Sequence, residues 1–266
     1  MEIPFYQVDA FARRLFTGNP AAVCPLEEWL DDATLQNIAM ENNLAETAYF
    51  VRENGGYRLR WFTPEVEMDL CGHATVAAAY VLMNLLEPDL REVIFESRSG
   101  PLGVTREGEV YALDFPARPP ERVQPQADLI EALGTEPDEV WQSRDLMAVF
   151  ANEERVRALT PDMTKLAALD AHAVIVTARG RDADFVSRFF APAVGVPEDP
   201  VTGSAHCTLI PYWAGVLGKT TLVAHQVSRR GGELFCELRG DRVRIAGEAR
   251  LFASGRIHLG LNYDRG

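Results

Sequence analysis

Positive charge is scarce in this sequence. Its 26 lysines and arginines stand against 39 aspartates and glutamates, giving a formal net charge of −13 and a sequence pI near 4.9. Nucleic acids and anionic membrane surfaces need a basic face, so neither is an expected partner. An anionic small molecule would have to be held by local dipoles and a few cations, against the overall field. Long apolar runs are missing as well, and no segment is expected to cross a bilayer. Met1 to Ala10 carries Glu2 and Asp9 and lacks the apolar core of a secretory signal, which points to a cytoplasmic protein. The cysteines, Cys24, Cys71, Cys207 and Cys236, are scattered without a C-x-x-C spacing. That argues against a disulfide frame and fits free thiols in a reducing compartment.

With 47% apolar and 24% charged residues over 266 positions, the composition is that of a soluble globular protein with one large domain or two smaller ones. The chain is organised around Glu198-Asp199-Pro200-Val201-Thr202-Gly203-Ser204-Ala205-His206. Two acids and a proline here precede good capping residues, Thr202 and Ser204, and an apolar run, so a helix is expected to start at Thr202. Gly203 admits close approach to the backbone, and the unpaired N–H groups would face a carboxylate or phosphate. Such a start is more often an ordinary capped helix, but a second copy stands upstream, Met68-Asp69-Leu70-Cys71-Gly72-His73-Ala74-Thr75, also leading into an apolar run. The likeness extends outward, from Arg60-Trp61-Phe62-Thr63-Pro64 against Arg188-Phe189-Phe190-Ala191-Pro192 to the segments after each helix. A repeat of this length is too long for a solenoid unit and predicts two homologous domains, with a small-molecule cleft between them.

In chain order, Ile3 to Phe11 and Ala21 to Cys24 read as a hairpin around Thr17-Gly18-Asn19-Pro20, Asp31 to Asn42 as a helix burying Leu35, Ile38 and Ala39, and Glu46 to Val51 as a strand. Strands follow at Tyr57–Phe62, Val93–Ser97, Leu102–Thr105 and Val110–Phe115, with one helix over Ala74–Leu86 that is apolar on nearly every face and so buried all round. The proline-rich Pro116–Pro120 is the linker, dividing the chain into residues 1–117 and 118–266. The second half offers helices at Ala127–Leu133, Asp162–Leu169 and Thr202–Leu217. Its strands are expected at Leu146–Ala151, Ala173–Ala178, Leu222–Gln226, Glu233–Leu238, Val243–Ala246 and Gly255–Leu261, the last free to return to the first domain. The expected fold class is α+β, two similar domains related by a pseudo-twofold axis, each a curled, barrel-like mixed sheet around a central hydrophobic helix.

Four motifs in order carry a resemblance to a known family. They are Asp9-Ala10-Phe11 with Gly18-Asn19-Pro20-Ala21-Ala22-Val23, then Asn43-Leu44-Ala45-Glu46-Thr47, then Leu70-Cys71-Gly72-His73-Ala74-Thr75, and lastly Asp199-Pro200-Val201-Thr202-Gly203-Ser204-Ala205. Together they resemble the phenazine-biosynthesis (PhzF-like) isomerases. The resemblance implies the diaminopimelate epimerase-like fold, a site between the halves, no metal, no organic cofactor and a homodimer. It places the proton-shuttling carboxylate at Glu46, a histidine at His73, an aspartate at Asp199, and the substrate-carboxylate loop at Gly203 and Ser204; Gly72, at the matching upstream helix start, is the further expected substrate-binding position. The implied activity is proton movement on a small carboxylate, with trans-2,3-dihydro-3-hydroxyanthranilate isomerase chemistry as precedent.

Chemistry makes these assignments sensible, since carbon-to-carbon proton transfer needs an acid/base group in a dry cleft. Burial would suit Glu46 to that role, and Asp199 has a second reading as a helix N-cap or first-turn acid. Relatives of the same fold invert an α-carbon with two cysteines; Cys71 falls on one position and Thr202 on the other. A hydroxyl is too weak an acid to replace that thiol, so the two-thiol route is not expected and Cys71 reads as a small buried packing residue. An amino-acid epimerase or racemase, and a non-catalytic binder of a small anionic metabolite, are the competing functions. Zinc on Cys71, His73, His206 and Cys207 is disfavoured because the Cys-x-His and His-Cys spacings are not those of structural zinc sites.

Overall fold

The computed structural model describes residues 1–260, and contacts within it gather into two units, Met1–Asp114 together with the chain from Ala246 on, and Phe115–Ile245. The first unit begins with β1 (Glu2–Ala10), which turns through Gly18 into β2 (Asn19–Leu26) as an antiparallel pair. Helix α1 (Asp32–Asn42) starts where the Asp31 carboxylate accepts from Thr34 N and stops at Asn43, which takes a left-handed conformation. Its buried side includes Leu35, Ile38 and Ala39, as the spacing predicts. There follow β3 (Glu46–Glu53), β4 (Gly56–Phe62), the short β5 (Glu67–Met68), α2 (Gly72–Val81), β6 (Glu92–Ser97), β7 (Gly100–Glu107) and β8 (Val110–Pro116).

The pairings β1–β2, β2–β3, β3–β4, β4–β6, β6–β7 and β7–β8 are completed by the strand Arg242–His258, which pairs with both β8 and β1. The ring of strands is therefore closed, barrel-like and mixed, with β2–β3 and β4–β6 parallel. Helix α2 buries His73, Ala74, Thr75, Val76, Ala77, Ala78, Ala79 and Val81 against β1, β2 and β3, and its alanines let the sheet come close. The expected helix to Leu86 changes character at Leu82. Residues Leu82–Leu86 form a wider π turn closed by Glu87 N donating to Leu82 O, because Pro88 disfavours a helical Glu87.

The second unit contains β9 (Glu121–Val123), α3 (Ala127–Leu133), β10 (Glu139–Gln142), β11 (Leu146–Val149), α4 (Glu153–Ala158), α5 (Met163–Ala167), β12 (Val174–Arg179), β13 (Phe185–Ala191), β14 (Val196–Asp199), α6 (Gly203–Leu217), β15 (Thr221–Gln226) and β16 (Gly232–Arg239). Its sheet runs β9-β10-β11-β12-β13-β15-β16, with β14 beside β13 and the pairs β11–β12 and β13–β15 parallel. Leu129, Leu133, Val156 and Leu166 from three short helices close one core with Val174, Val176 and Phe190 from the sheet. Pro211 inside α6 has no N–H to give the Cys207 carbonyl, and Arg118 N supplies the missing donor at 2.8 Å.

Other expectations change as well. The helix foreseen over Asp162–Leu169 is the single turn α5, with Asp162 outside it as the cap. The strands foreseen at Val243–Ala246 and Gly255–Leu261 are one, β17 (Arg242–His258), which ends at His258; Leu261 lies outside the described residues. The segment between the two foreseen strands, which carried no expected element, stays paired to β1 because a register shift between Gln7 and Val8 accommodates Phe252 as an extra residue. Finally, β9, β10, β13, β14 and α4 had no sequence expectation. Among the described residues no helix is long and apolar enough to cross a membrane.

The repeat seen in the sequence has a structural counterpart in each unit. Arg60 on β4 pairs with Glu67 at 2.7 Å and stacks on Phe62, while Arg188 on β13 pairs with Glu198 at 2.7 Å and stacks on Phe190. In both, the arginine bridges its own strand to the short one that leads into the apolar helix.

Candidate active site

Strand geometry places the first group. Asn19 and Ala21, two apart on β2, point to one face, and Ala21 pairs with Glu46 at the start of the parallel neighbour β3. Asn19 and Glu46 therefore share a face, and α2, which packs on β2 and β3, brings His73 from its first turn to meet them. His73 Nε2 lies 2.9 Å from Glu46 Oε2, an ion-pair distance, and neither atom makes a hydrogen bond within the standard geometry. On the other side of the ring, Asn19 Nδ2 is 3.1 Å and Cys71 Sγ 3.5 Å from Nδ1. Burial opposes charge on His73, but the Cys71 sulfur and the Glu46 carboxylate outweigh it and hold the imidazole well above its usual range. Burial and the same carboxylate push the Cys71 thiol up. Cys71 is buried, as expected, yet it also touches the histidine. Gly72, the first residue of α2, is half-buried, and no side chain caps this helix start.

The second group stands at the start of α6. Gly203 is buried and Ser204 half-buried, and Thr202, the N-cap residue, makes no side-chain cap hydrogen bond. The capping expected of Thr202 is thus corrected: its hydroxyl donates to Asp199 Oδ2 instead. The cap reading of Asp199 falls with it, because that residue ends β14 and sits outside the helix. Ser204 does not cap either; its Oγ lies 3.3 Å from Nη2 of Arg144, whose guanidinium also donates to both oxygens of the buried Asp145. Gln226, which sequence reasoning missed, ties the turn together. Its Oε1 accepts from Thr202 N, and its Nε2 donates to Asp199 O and Thr202 Oγ1. The only cue for Gln226 was a lone polar amide at the end of an apolar strand, whereas Asn19 stood in the Gly18-Asn19-Pro20 motif without a role assigned to it. Glu46, His73 and Gly72 lie in the first unit, and Asp199, Gly203 and Ser204 in the second.

Glu46, Cys71 and His73 place possible ligand atoms within 4.8 Å of one another. A single ion would fit poorly, because Cys71 addresses Nδ1 and Glu46 addresses Nε2, and one ring nitrogen cannot serve both sides. His206 is occupied otherwise, its Nδ1 2.8 Å from Thr202 O. Ligand binding and turnover are expected to survive exhaustive chelation. Stoichiometric zinc that leaves together with function would contradict this.

His206 also carries a pH prediction. Burial pushes its imidazole down to about 4, only partly offset by the Thr202 carbonyl. Between the unfolded value near 6.5 and that folded value, the unfolded chain takes up a proton that the folded chain refuses. Stability is therefore full above pH ~6.5 and falls by roughly 3 kcal/mol as the pH drops to about 4. Denaturant unfolding of the parent and of His206→Asn across this range checks it, the variant losing correspondingly less; equal acid losses would contradict the assignment.

The family description "Phenazine biosynthesis-like protein" (PhzC-PhzF) matches residues 8–255. An uncharacterized isomerase of Pseudomonas aeruginosa is 56% identical over 260 residues, 97% of this chain and 100% of that protein. A second, from Halalkalibacterium halodurans, is 46% identical over 255 residues, covering 94% of this chain and 96% of the relative. The crystal structure of a phenazine biosynthesis protein of the PhzF family from Enterococcus faecalis superposes with a TM-score of 0.96 at 54% identity, over 97% of this chain and 100% of that one. With near-complete coverage by relatives named as isomerases and a barrel-like fold shared with the solved structure, the chain belongs to the phenazine biosynthesis-like (PhzF) family and is an isomerase.

Proposed function

We propose that this isomerase works without metal or organic cofactor and moves a proton on a small carboxylate substrate, with Glu46 as the proton carrier. The observation that supports the reading most is the buried Glu46–His73 contact at 2.9 Å, in which each atom has the other as its polar neighbour. Glu46 takes a proton from a substrate carbon, leaving the bonding pair to delocalise into the substrate, and returns the proton to another carbon. No atom is gained or lost, and nothing is oxidised. His73 orients the carboxylate and steadies its charge, and Asp199 serves as the second carboxylate. The N–H groups at the two helix starts without side-chain caps, Gly72 in the first unit and Gly203 and Ser204 in the second, are each suited to receive a carboxylate.

The epimerase alternative draws on Cys71. It is disfavoured because the thiol is pushed up rather than down and because the Thr202 hydroxyl is committed to Asp199. Turnover in heavy water tests the reading: deuterium should enter a substrate carbon in the parent enzyme, and much more slowly in Glu46→Gln. Isomerisation that proceeds at the same rate in both, with the same deuterium content, would sink it.

A further inference from the structure

We infer that Asn19 is a positioning residue whose side-chain amide keeps a proton on His73 Nε2, facing Glu46, in both charge states of the ring. This deepens the reading above and rests on it for its catalytic meaning, though not for its geometry. Asn19 is fully buried at the first position of β2, and Nδ2 stands 3.1 Å from His73 Nδ1. A neutral imidazole carries one N–H and one bare nitrogen. With the amide N–H and the Cys71 thiol both facing Nδ1, the bare nitrogen is Nδ1 and the proton sits on Nε2, 2.9 Å from the Glu46 carboxylate.

When the ring gains its second proton, Nδ1 becomes a donor and needs an acceptor instead. A carboxamide holds one donor group and one acceptor at the same reach from its backbone, so a half-turn about the last side-chain bond presents Oδ1 where Nδ2 stood. Alanine offers neither, and aspartate offers only the acceptor. The groups that face the ring are thus the Glu46 carboxylate from β3, the Cys71 thiol from the start of α2 and this amide from β2. In either charge state the Nε2 proton stays on the side of the ring that faces Glu46 Oε2, 2.9 Å away. Oε1 is then the oxygen left to exchange protons with a substrate carbon.

The test reads the His73 ring directly, by long-range proton–nitrogen correlation on nitrogen-15-labelled protein over a pH series, without substrate. In the parent, Nε2 should bear its proton at every pH while Nδ1 alone titrates. Asn19→Ala should shift both nitrogens toward the averaged position of mixed tautomers once the ring is neutral, or release the Nδ1 proton at lower pH if the parent ring stays charged throughout. Asn19→Asp should hold the Nδ1 proton to higher pH. A parent ring that bears its neutral-state proton on Nδ1, or variants whose ring signals match the parent's, would overturn the assignment. If Asn19→Ala does not fold, the parent and the aspartate variant decide. Should Glu46→Gln retain full turnover while these signals behave as expected, the catalytic reading fails and the role of Asn19 in setting the tautomer stands.

Discussion

Replacing Glu46 with glutamine is expected to leave ligand binding in place and to slow proton transfer by about 10²–10⁴-fold. Glutamine has nearly the shape of glutamate and keeps a carbonyl oxygen for His73, so it removes the acid/base function and little else. The site is well suited to expose this difference, because the Glu46 side chain is only 14% accessible and its Oε2 has the His73 ring as polar neighbour. Cys71→Ala is the matched control. Its thiol touches Nδ1 rather than Glu46, so its removal should cost little rate, and the ring keeps its Asn19 partner. A dead alanine variant beside a nearly normal glutamine variant would reverse the roles of the two residues and demand a thiol mechanism.

Gly18→Ala is expected to destabilise the fold by on the order of 3 kcal/mol and to disturb the site as well. Gly18 has a φ of +69°, and a Cβ there would stand 2.2 Å from the carbonyl oxygen of Ala10. That oxygen belongs to β1, which is fixed on both edges by β2 and β17, so it cannot move aside cheaply. The strain must appear in the turn, and the next residue is Asn19. Equilibrium unfolding measures the loss, and the His73 ring signals report the displacement. A variant as stable as the parent, with unchanged ring signals, would show that the turn yields without cost.

Much of the fold could be read in the residues, for reasons that are local. Asp31 and Asn43 bracket α1 by standard capping chemistry, and the alanine-rich run after His73 announced a helix buried on most of its faces. What escaped notice depends on partners distant in sequence. β13 reads as a mixed run until Arg188 finds Glu198 and Phe190, and β17 looks broken at Gly247 to Ser254 until β1 pairs across its bulge. The site was legible through acids, histidine and glycines at helix starts. Its supports were not: Asn19, Gln226 and Arg144 gain meaning only from the atoms they meet. Thr202 shows the same limit in reverse, since a good capping residue gives its hydroxyl to Asp199 instead of to the helix.

The central claim, that Glu46 carries the proton, is tested most directly by a crystal structure with a small carboxylate soaked in or co-purified. A ligand carbon about 3–3.5 Å from Glu46 Oε1, with His73 still on Oε2, is the predicted result. A ligand whose reacting carbon lies against Cys71 Sγ, with Glu46 turned away from it, would contradict the account.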